Sequence, residues 1–220
     1  MTGSSADWVI EVLSPARMAP YLAQTNGDVD AAFRLYQWNL SVCTAFYDPL
    51  HWLEVAARNA MHDVLRDHFG TEFWWQKVQL VGTWQAKVER VEAQLKERFT
   101  PAGRTMTADD VVAELNFGFW VSLVTRGNSY DRTLWVPALH RAFPNFSDGR
   151  RRKLHDELNP VRLFRNRIMH YEPIFNRRLL DYHRDIYRLL GYLSTKLKAE
   201  TRRLDRVPQV LAERPDLGGA

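Results

Sequence analysis

The stretch from Asp28 to Gly70 constrains the fold more than any other part of this chain. Apolar residues recur along it at three- and four-residue steps, and they fall on more than one face of the helix that this spacing predicts. A helix that is apolar on several sides needs neighbours on several sides, so it belongs in the middle of a bundle. Asp28 is a suitable N-cap and Gly70 suits the C-terminal end, whereas Pro49 predicts a kink or a split into two halves.

Helical spacing also dominates the rest of the sequence. Segments that alternate apolar and polar residues are scarce, so we expect few or no strands. The last two predicted helices each have a single apolar stripe, which indicates that one face packs inward. The further predicted helices run over about 15–24, 84–99, 108–125, 135–143, 148–171 and 177–205.

These helices predict an all-α fold with a four-helix core. The core consists of both halves of the Asp28 stretch and the last two helices, and the segment 84–143 adds further helices beside it. We expect residues 1–206 to form a single all-helical domain. The segment 207–220 is polar and is expected to be a flexible C-terminal tail.

Composition and charge narrow the class of protein. The net charge of +4 is a mild basic bias that does not by itself indicate a nucleic-acid partner. Cys43 is the single cysteine, which excludes an internal disulfide and fits a reducing compartment. No apolar segment approaches the ~18 residues needed to span a bilayer, and the N-terminus lacks a signal-peptide pattern. We therefore expect a cytoplasmic protein with no membrane partner.

Several sites of well-known chemistry are absent from the sequence. It has no GxxxxGKS/T or GxGxxG loop to hold nucleotide phosphates, and no CxxC or HExxH pattern for zinc. The cluster His62–Asp63–Asp67–His68 carries metal-ligating side chains, but its members do not share one helical face. A solvated helix face is the preferred interpretation of that cluster, and we expect no metal and no cofactor.

The segment 165–175, RNRIMHYEPIF, concentrates charge at the end of a predicted helix. Arg165 has an ordinary explanation, because a cation there complements the negative end of the helix dipole. Pro173, however, predicts that the helix ends near His170, which leaves that imidazole exposed. Asn166 lies four residues before His170, beneath the imidazole, and its amide can hold one ring nitrogen. The pattern therefore also fits a site that grips a phosphate and moves a proton beside it.

The spacing of Arg165, Asn166 and His170 resembles the signature of the HEPN superfamily, in which a polar residue follows the arginine and a histidine comes shortly after. RNRIMHYEPIF as a whole is similar to the C-terminal motif of the Abi-like (abortive-infection-like) family of that superfamily. Two upstream segments are similar to the N-terminal and middle parts of the family, and the resemblance covers about residues 28–190. These segments are LYQWNLSVCTAFYDPLHWLEVAARNAMHDVL and LNFGFWVSLV…LWVPALHRAFP.

The resemblance implies a HEPN-like four-helix bundle with additional inserted helices, often a homodimer. It also implies a metal-independent endoribonuclease of phage-defence or toxin–antitoxin systems. By position, Arg165 and His170 are then the catalytic pair and Asn166 is the supporting polar residue. Toxins of a related branch often carry a tyrosine two residues after the histidine. Glu172 stands there in this chain, so the tyrosine modification of that branch is not expected.

The implied chemistry fits these side chains. RNA carries its own nucleophile, the 2′-hydroxyl, so a base and an acid can cleave it without a metal. Histidine can serve in either role near neutral pH, and arginine can donate to the phosphate oxygens as charge builds up. One motif supplies one histidine, whereas a twofold dimer supplies two. We therefore expect a composite site whose products carry a 2′,3′-cyclic phosphate and a 5′-hydroxyl.

Four further residues are predicted to contact the substrate. Arg58 shares a helix face with His62 and either lines the same cleft or belongs to a buried polar layer. Arg162 and Arg167 are expected to hold RNA backbone, with a solvated role as the alternative. Glu172 either orients the catalytic pair or caps the following helix.

Two other functions stay open from the sequence. A non-catalytic HEPN module that binds RNA, a nucleotide or a protein partner predicts binding that survives His170→Ala and no cleavage. A purely structural helical protein predicts that Arg165→Ala leaves RNA affinity unchanged. A constitutive ribonuclease would harm its host, so an antitoxin or a trigger protein is expected as a partner in addition to RNA.

Overall fold

The computed structural model describes residues 6–217, and every regular element among them is a helix. This confirms the predicted all-α class. Within the described residues, no helix is both long enough and apolar enough to cross a lipid bilayer. The α-helices are α1 (Asp7–Leu13), α2 (Pro15–Gln24), α3 (Val29–Phe69), α4 (Gly82–Phe99), α5 (Ala108–Glu114), α6 (Phe117–Ser122), α7 (Arg151–Met169), α8 (Leu179–Leu193), α9 (Thr195–Arg203) and α10 (Val207–Ala212). Short 3-10 turns lie at Trp74–Lys77, Thr100–Ala102 and Leu139–Ala142, and a π-helical turn lies at Asp131–Trp135.

Helix α3 is the axis of the fold. It has buried residues along its whole length, and helices α2, α6, α8 and α10 pack against it. Both predicted ends are observed. The Asp28 side chain accepts a hydrogen bond from the Ala31 N–H at 2.9 Å, and Gly70 ends the helix in a left-handed conformation at φ 67°. Neighbours on several sides explain why α3 is apolar on more than one face.

Pro49 does not split the helix in two, because α3 continues through this residue. An internal proline removes one backbone donor and costs a helix about 3 kcal/mol. Here Pro49 is itself buried, and so are Phe46, Leu50 and Leu53 around it. Burial of these side chains against the neighbouring helices offsets the cost. A single helix therefore takes the place of two of the predicted core helices.

Two predicted helices are each divided by a polar residue that caps the second piece. Ser194, at φ −160° and ψ 126°, separates α8 from α9, and its hydroxyl accepts from the Leu197 N–H at 3.2 Å. Asn116 separates α5 from α6, and its side chain accepts from the Phe119 N–H at 3.2 Å. Both side chains compete with helical hydrogen bonds. The break at Ser194 allows α9 to pack against α8.

The segment predicted to be a flexible tail contains a packed helix, α10. Its Val207 and Val210 are buried. The indole Nε1 of Trp38 in α3 donates to the Val210 carbonyl oxygen at 2.8 Å. Two buried valines and one interhelical hydrogen bond thus anchor a short piece of chain that is polar on average.

An aromatic cluster holds α6 against the C-terminal half of α3. Trp74, Trp75, Phe119 and Trp120 are all buried, and the Trp74 and Trp75 ring centroids lie 5.5 Å apart in an edge-to-face arrangement. Large aromatic side chains of this kind bury roughly 150–250 Å² each. The cluster therefore fixes the start of α6 beside α3, where Phe117 contacts the candidate site.

Candidate functional site

Helix α7 positions the motif at 165–175, and it ends just before His170. The His170 N–H still donates to the Asn166 carbonyl oxygen at 2.9 Å, and Tyr171 then takes a left-handed conformation at φ 58°. Pro173 disfavours helical geometry in the residue before it, which explains why the helix stops here. The end of α7 agrees with the end predicted from the sequence.

Arg165 is held in place by Glu54 of α3. Its Nε and Nη2 groups donate to the two carboxylate oxygens at 2.9 and 3.3 Å, in the paired geometry that a guanidinium and a carboxylate favour. The two side chains are 24% and 19% exposed, so the ion pair is partly desolvated. Glu54 Oε1 also accepts from the Phe117 N–H at 3.1 Å. Arg165 therefore has a fixed orientation, unlike the cation of a solvated helix end.

A cleft of about 210 Å³ opens beside this ion pair, and we refer to it as the Arg165 cleft. His51 and Arg58 line it from the same face of α3 as Glu54, since these residues are three and four positions apart. The structure thus brings Arg58 and Arg165 to one cleft. The remaining lining residues are Tyr47, Leu50, Val55 and Met169.

His51 and Glu54 were not singled out by the sequence analysis. The signal for them was the spacing HxxExxxR on one face of α3, which places a histidine, a carboxylate and an arginine side by side. That spacing occurs in many solvated helices, and only the packing of α7 against this face gives it meaning. The aromatic ring of Tyr47 also stacks on His51, with centroids 6.1 Å apart and planes at 16°.

His170 lies outside the Arg165 cleft. Its side chain is exposed, and within the described residues it makes no side-chain hydrogen bond. Asn166 contacts it through the backbone, and no hydrogen bond joins the Asn166 amide to the imidazole in the described part of the chain. Arg165 and His170 are separated by about 140° around the helix axis, so one faces α3 while the other faces solvent. A single chain therefore does not bring these two side chains into one cavity.

The other predicted contact residues are held by neighbours that are close in sequence. Glu172 forms an ion pair with Arg167 at 2.9 Å. Among the described residues it makes no hydrogen bond or ion pair with Arg165 or His170, and α8 has no side-chain cap. The Arg162 guanidinium donates twice to the Asn159 side-chain oxygen, at 2.8 and 3.0 Å. Arg162 and Arg167 do not line the Arg165 cleft, and their cations lie elsewhere on α7.

His62 is an interior residue rather than part of a polar site. Its Nδ1 accepts a hydrogen bond from the Trp74 Nε1 at 3.1 Å, and the ring is buried. Asp63 and Asp67 both pair with Arg66, at 2.8 and 2.9 Å. The cluster considered as a metal site is therefore divided between the interior and a surface ion-pair network.

Exposed apolar side chains surround the motif. Leu40, Tyr47 and Tyr171 are all large and at least two-fifths exposed, and Tyr171 reaches 77%. A groove of about 620 Å³ runs between α3 and the end of α7 through Leu40 and Tyr171. Cys43 also lines this groove, and burial raises the pKa of its thiol to about 11, which keeps it protonated and a poor nucleophile.

Comparisons with protein-family models, with curated proteins and with solved structures find no match for this chain. The motif at 165–175 and the geometry around Arg165 are therefore the basis on which a function can be proposed. They combine an oriented guanidinium at a cleft, a second arginine beside it, and an exposed imidazole at the end of the same helix.

Proposed function

We propose that the protein is a metal-independent endoribonuclease of the kind that acts in phage defence or in toxin–antitoxin systems. The observation that carries this proposal is the ion pair of Arg165 with Glu54, because it orients a guanidinium at the edge of an open cleft. A solvated helix end offers no such fixed donor. The resemblance of RNRIMHYEPIF to the Abi-like motif supports the same function.

The donors of Arg165 suit a phosphate. A guanidinium has five N–H groups, and Glu54 engages two of them, one on Nε and one on Nη2. The Nη1 hydrogens remain for an oxygen of the scissile phosphate, which gains negative charge in the transition state. Arg58 supplies a second guanidinium in the same cleft. Partial burial strengthens these contacts because water screens them less.

His170 supplies the proton transfer. In the proposed step the RNA 2′-hydroxyl gives its proton to an imidazole and its oxygen attacks the adjacent phosphorus. The bond from phosphorus to the 5′-oxygen breaks, and that oxygen takes a proton from an imidazolium. The products are a 2′,3′-cyclic phosphate and a 5′-hydroxyl. Imidazole can fill both roles near neutral pH.

The positions of Arg165 and His170 favour a composite site between two chains. His170 is exposed and lies outside the cleft of its own chain, so a histidine from a twofold-related copy is needed to complete it. The exposed side chains of Leu40, Tyr47 and Tyr171 around the motif would supply apolar area for that contact. A homodimer is therefore part of the proposal.

One observation favours a second candidate, a non-catalytic module of the same fold that binds RNA, a nucleotide or a protein partner. Glu54 already compensates the charge of Arg165, and His170 does not share its cleft. If no second chain completes the site, the cleft can bind an anion without cleaving it. In this candidate the residues of the cleft bind the ligand, but no proton transfer or cleavage takes place.

The test is cleavage of an end-labelled single-stranded RNA by the wild type, Arg165→Ala and His170→Ala, with and without EDTA. General acid–base catalysis contributes about 100-fold or more, and a donor to the developing charge contributes about as much. Each variant should therefore lose at least that factor, while EDTA has no effect. Arg98→Ala and His68→Ala remove an exposed arginine and an exposed histidine far from the motif in sequence and serve as matched controls. Cleavage that survives both motif variants would disprove the assignment, and RNA binding without cleavage in the wild type would favour the module.

The biological setting is tested by expression in cells. A ribonuclease of this kind should arrest growth when expressed alone, or do so only after phage infection, and a neighbouring gene should relieve the arrest if it encodes an antitoxin. Arg165→Ala should abolish the arrest at equal protein level. A wild type that is harmless in both uninfected and infected cells would count against the defence and toxin roles.

A further inference from the structure

A second concentration of basic residues lies between α8 and α9, on side chains that do not line the Arg165 cleft. It forms a groove of about 420 Å³, which falls within the usual size of small-molecule sites. We refer to it as the α8–α9 groove. No carboxylate lines it among the described residues. The lining residues are His183, Arg184, Tyr187, Arg188, Gly191, Tyr192, Thr195, Lys198 and Arg202.

Two of the cations in this groove are compensated. Arg184 pairs with Asp181 at 2.8 Å, and Arg188 pairs with Asp185 and Glu157 at 3.0 and 3.3 Å. Their carboxylate partners lie outside the groove lining. These two arginines therefore have fixed side-chain positions and add some positive potential to the groove, but their charges are already compensated.

The other two cations, Lys198 and Arg202, make no ion pair with any described residue. Glu200, the carboxylate nearest to both in sequence, pairs with Arg203 at 2.9 Å. Asp205, three residues after Arg202, accepts from His183 Nε2 at 2.6 Å and from the Val207 N–H at 3.0 Å. The α8–α9 groove therefore carries two positive charges that the described fold leaves uncompensated.

Both free cations are nevertheless held in position. The Arg202 guanidinium lies over the Tyr187 ring, 4.9 Å from its centroid. The Lys198 stem crosses α8 at Gly191, where an added Cβ would lie only 3.2 Å from Lys198 Cδ. A glycine inside a helix is destabilising relative to alanine. At Gly191 its effect is to leave room for the lysine.

We propose that the α8–α9 groove is a binding site for the phosphate groups of a nucleotide or a nucleotide chain. Two uncompensated and pre-positioned cations match a ligand with two negative charges, either the terminal phosphates of a nucleotide or two successive phosphodiesters. Tyr192, whose ring packs on Phe146 at 4.9 Å, offers an aromatic surface at the edge of the groove for a base. This site does not depend on catalysis at Arg165.

The test compares removal of charge inside and outside the groove on the same helix. Lys198→Gln with Arg202→Gln removes the two groove cations, and Lys196→Gln with Arg203→Gln removes two exposed cations of α9 that do not line the groove. The probes are ATP, followed by calorimetry, and a fluorescent 2′-O-methyl oligonucleotide, followed by anisotropy. The oligonucleotide lacks the free 2′-hydroxyl, so binding is measured without cleavage.

The groove variant should bind at least one probe about tenfold or more weaker than the wild type, while the control variant stays within a factor of about two. If the ligand is the chain, the slope of log affinity against log salt should also fall by about 1.4. Loss for ATP alone identifies a free nucleotide, and loss for the oligonucleotide alone identifies the chain. Equal losses in both variants, or no binding of either probe to the wild type, would overturn the proposal.

Gly191→Ala provides a second test that leaves the net charge unchanged. The added methyl group displaces the Lys198 side chain, so the affinity for the same probe should fall several-fold although no cation is removed. Circular dichroism should report an unchanged helix content. Unchanged affinity in this variant would mean that the position of Lys198 is irrelevant, and the groove would then be only a diffuse positive surface.

Discussion

The Arg165 cleft and the α8–α9 groove both contain several cations, but the cations for which a role is proposed are held in different ways. In the cleft, Arg165 is partly buried and paired with a carboxylate from another helix. In the groove, Lys198 and Arg202 have no carboxylate partner among the described residues. The Tyr187 ring lies under the Arg202 guanidinium, and Gly191 leaves room for the Lys198 side chain. A paired cation gains fixed geometry, whereas an unpaired one keeps its full charge for a ligand. A paired, oriented cation suits stabilisation of charge at one atom of a substrate. An unpaired cation suits electrostatic attraction of an anion.

Glu54→Ala should give the largest loss of stability and activity, because it removes the ion pair that distinguishes the cleft from the groove. It leaves the Arg165 guanidinium and the Phe117 N–H without their partner, so the free energy of unfolding should fall by about 2 kcal/mol. Cleavage of RNA should be lost even though both motif residues remain. Urea denaturation and the cleavage assay measure the two effects. Glu114→Ala, which removes an exposed ion pair with Arg98, is the control and should change neither by much.

Leu40→Glu tests whether the surface around the cleft is a contact between two copies. A carboxylate placed in an apolar contact is costly to bury, so the dissociation constant of the dimer should rise by about tenfold or more. Sedimentation velocity over a range of protein concentrations measures it. Val136→Glu places the same charge on an exposed apolar residue in another part of the chain. A wild type that is monomeric at every concentration would contradict the composite site.

Gly191→Ala should sharpen the comparison at the groove, because stability and binding are expected to move in opposite directions. Replacing a glycine inside a helix by alanine contributes about 0.5–1 kcal/mol of stability, provided that the Lys198 side chain moves aside. Thermal unfolding should therefore shift upward while ligand affinity falls. A fall in stability would indicate that the crowding against Lys198 is not relieved.

Arg202→Gln should have the smallest effect on folding. Its cation has no carboxylate partner in the described structure and is exposed, so the free energy of unfolding should change by less than about 0.5 kcal/mol. Arg165→Gln at the cleft should cost more, because it leaves Glu54 partly buried without its cation. Paired urea titrations of the two variants compare the sites directly, and similar costs would remove the distinction between them.

Local chemistry explains which parts of the fold could be predicted. The cap at Asp28, the glycine end at Gly70 and the stop before Pro173 each depend on a few neighbouring residues, and each is observed. The continuity of α3 through Pro49 depends on burial by other helices, which no local pattern contains. The same reason applies to α10, because Trp38 anchors Val210 from a distant part of the chain.

The candidate site shows the same difference between features set by neighbouring residues and features set by tertiary packing. Arg165 and His170 lie within one motif and were predicted from it, as was the end of α7 near His170. Glu54 reaches Arg165 from a position 111 residues away, and its role emerges only when α3 and α7 are packed together. Glu172 was expected either to orient Arg165 or His170 or to cap the following helix, but it forms an ion pair with Arg167 instead. A side chain with two partners within reach cannot be assigned from spacing alone.

The continuity of α3 also has a mechanical consequence. Trp38, which holds α10, and Glu54, which holds Arg165, are joined by an unbroken helix and lie about 24 Å apart along it. No loop lies between the two points to absorb a displacement, although Pro49 removes one helical hydrogen bond between them. A partner protein that displaced α10 would therefore shift or rotate α3, and with it the Glu54 carboxylate that orients Arg165. The Arg165–Glu54 ion pair and the attachment of α10 at Trp38 are therefore coupled through one helix, α3.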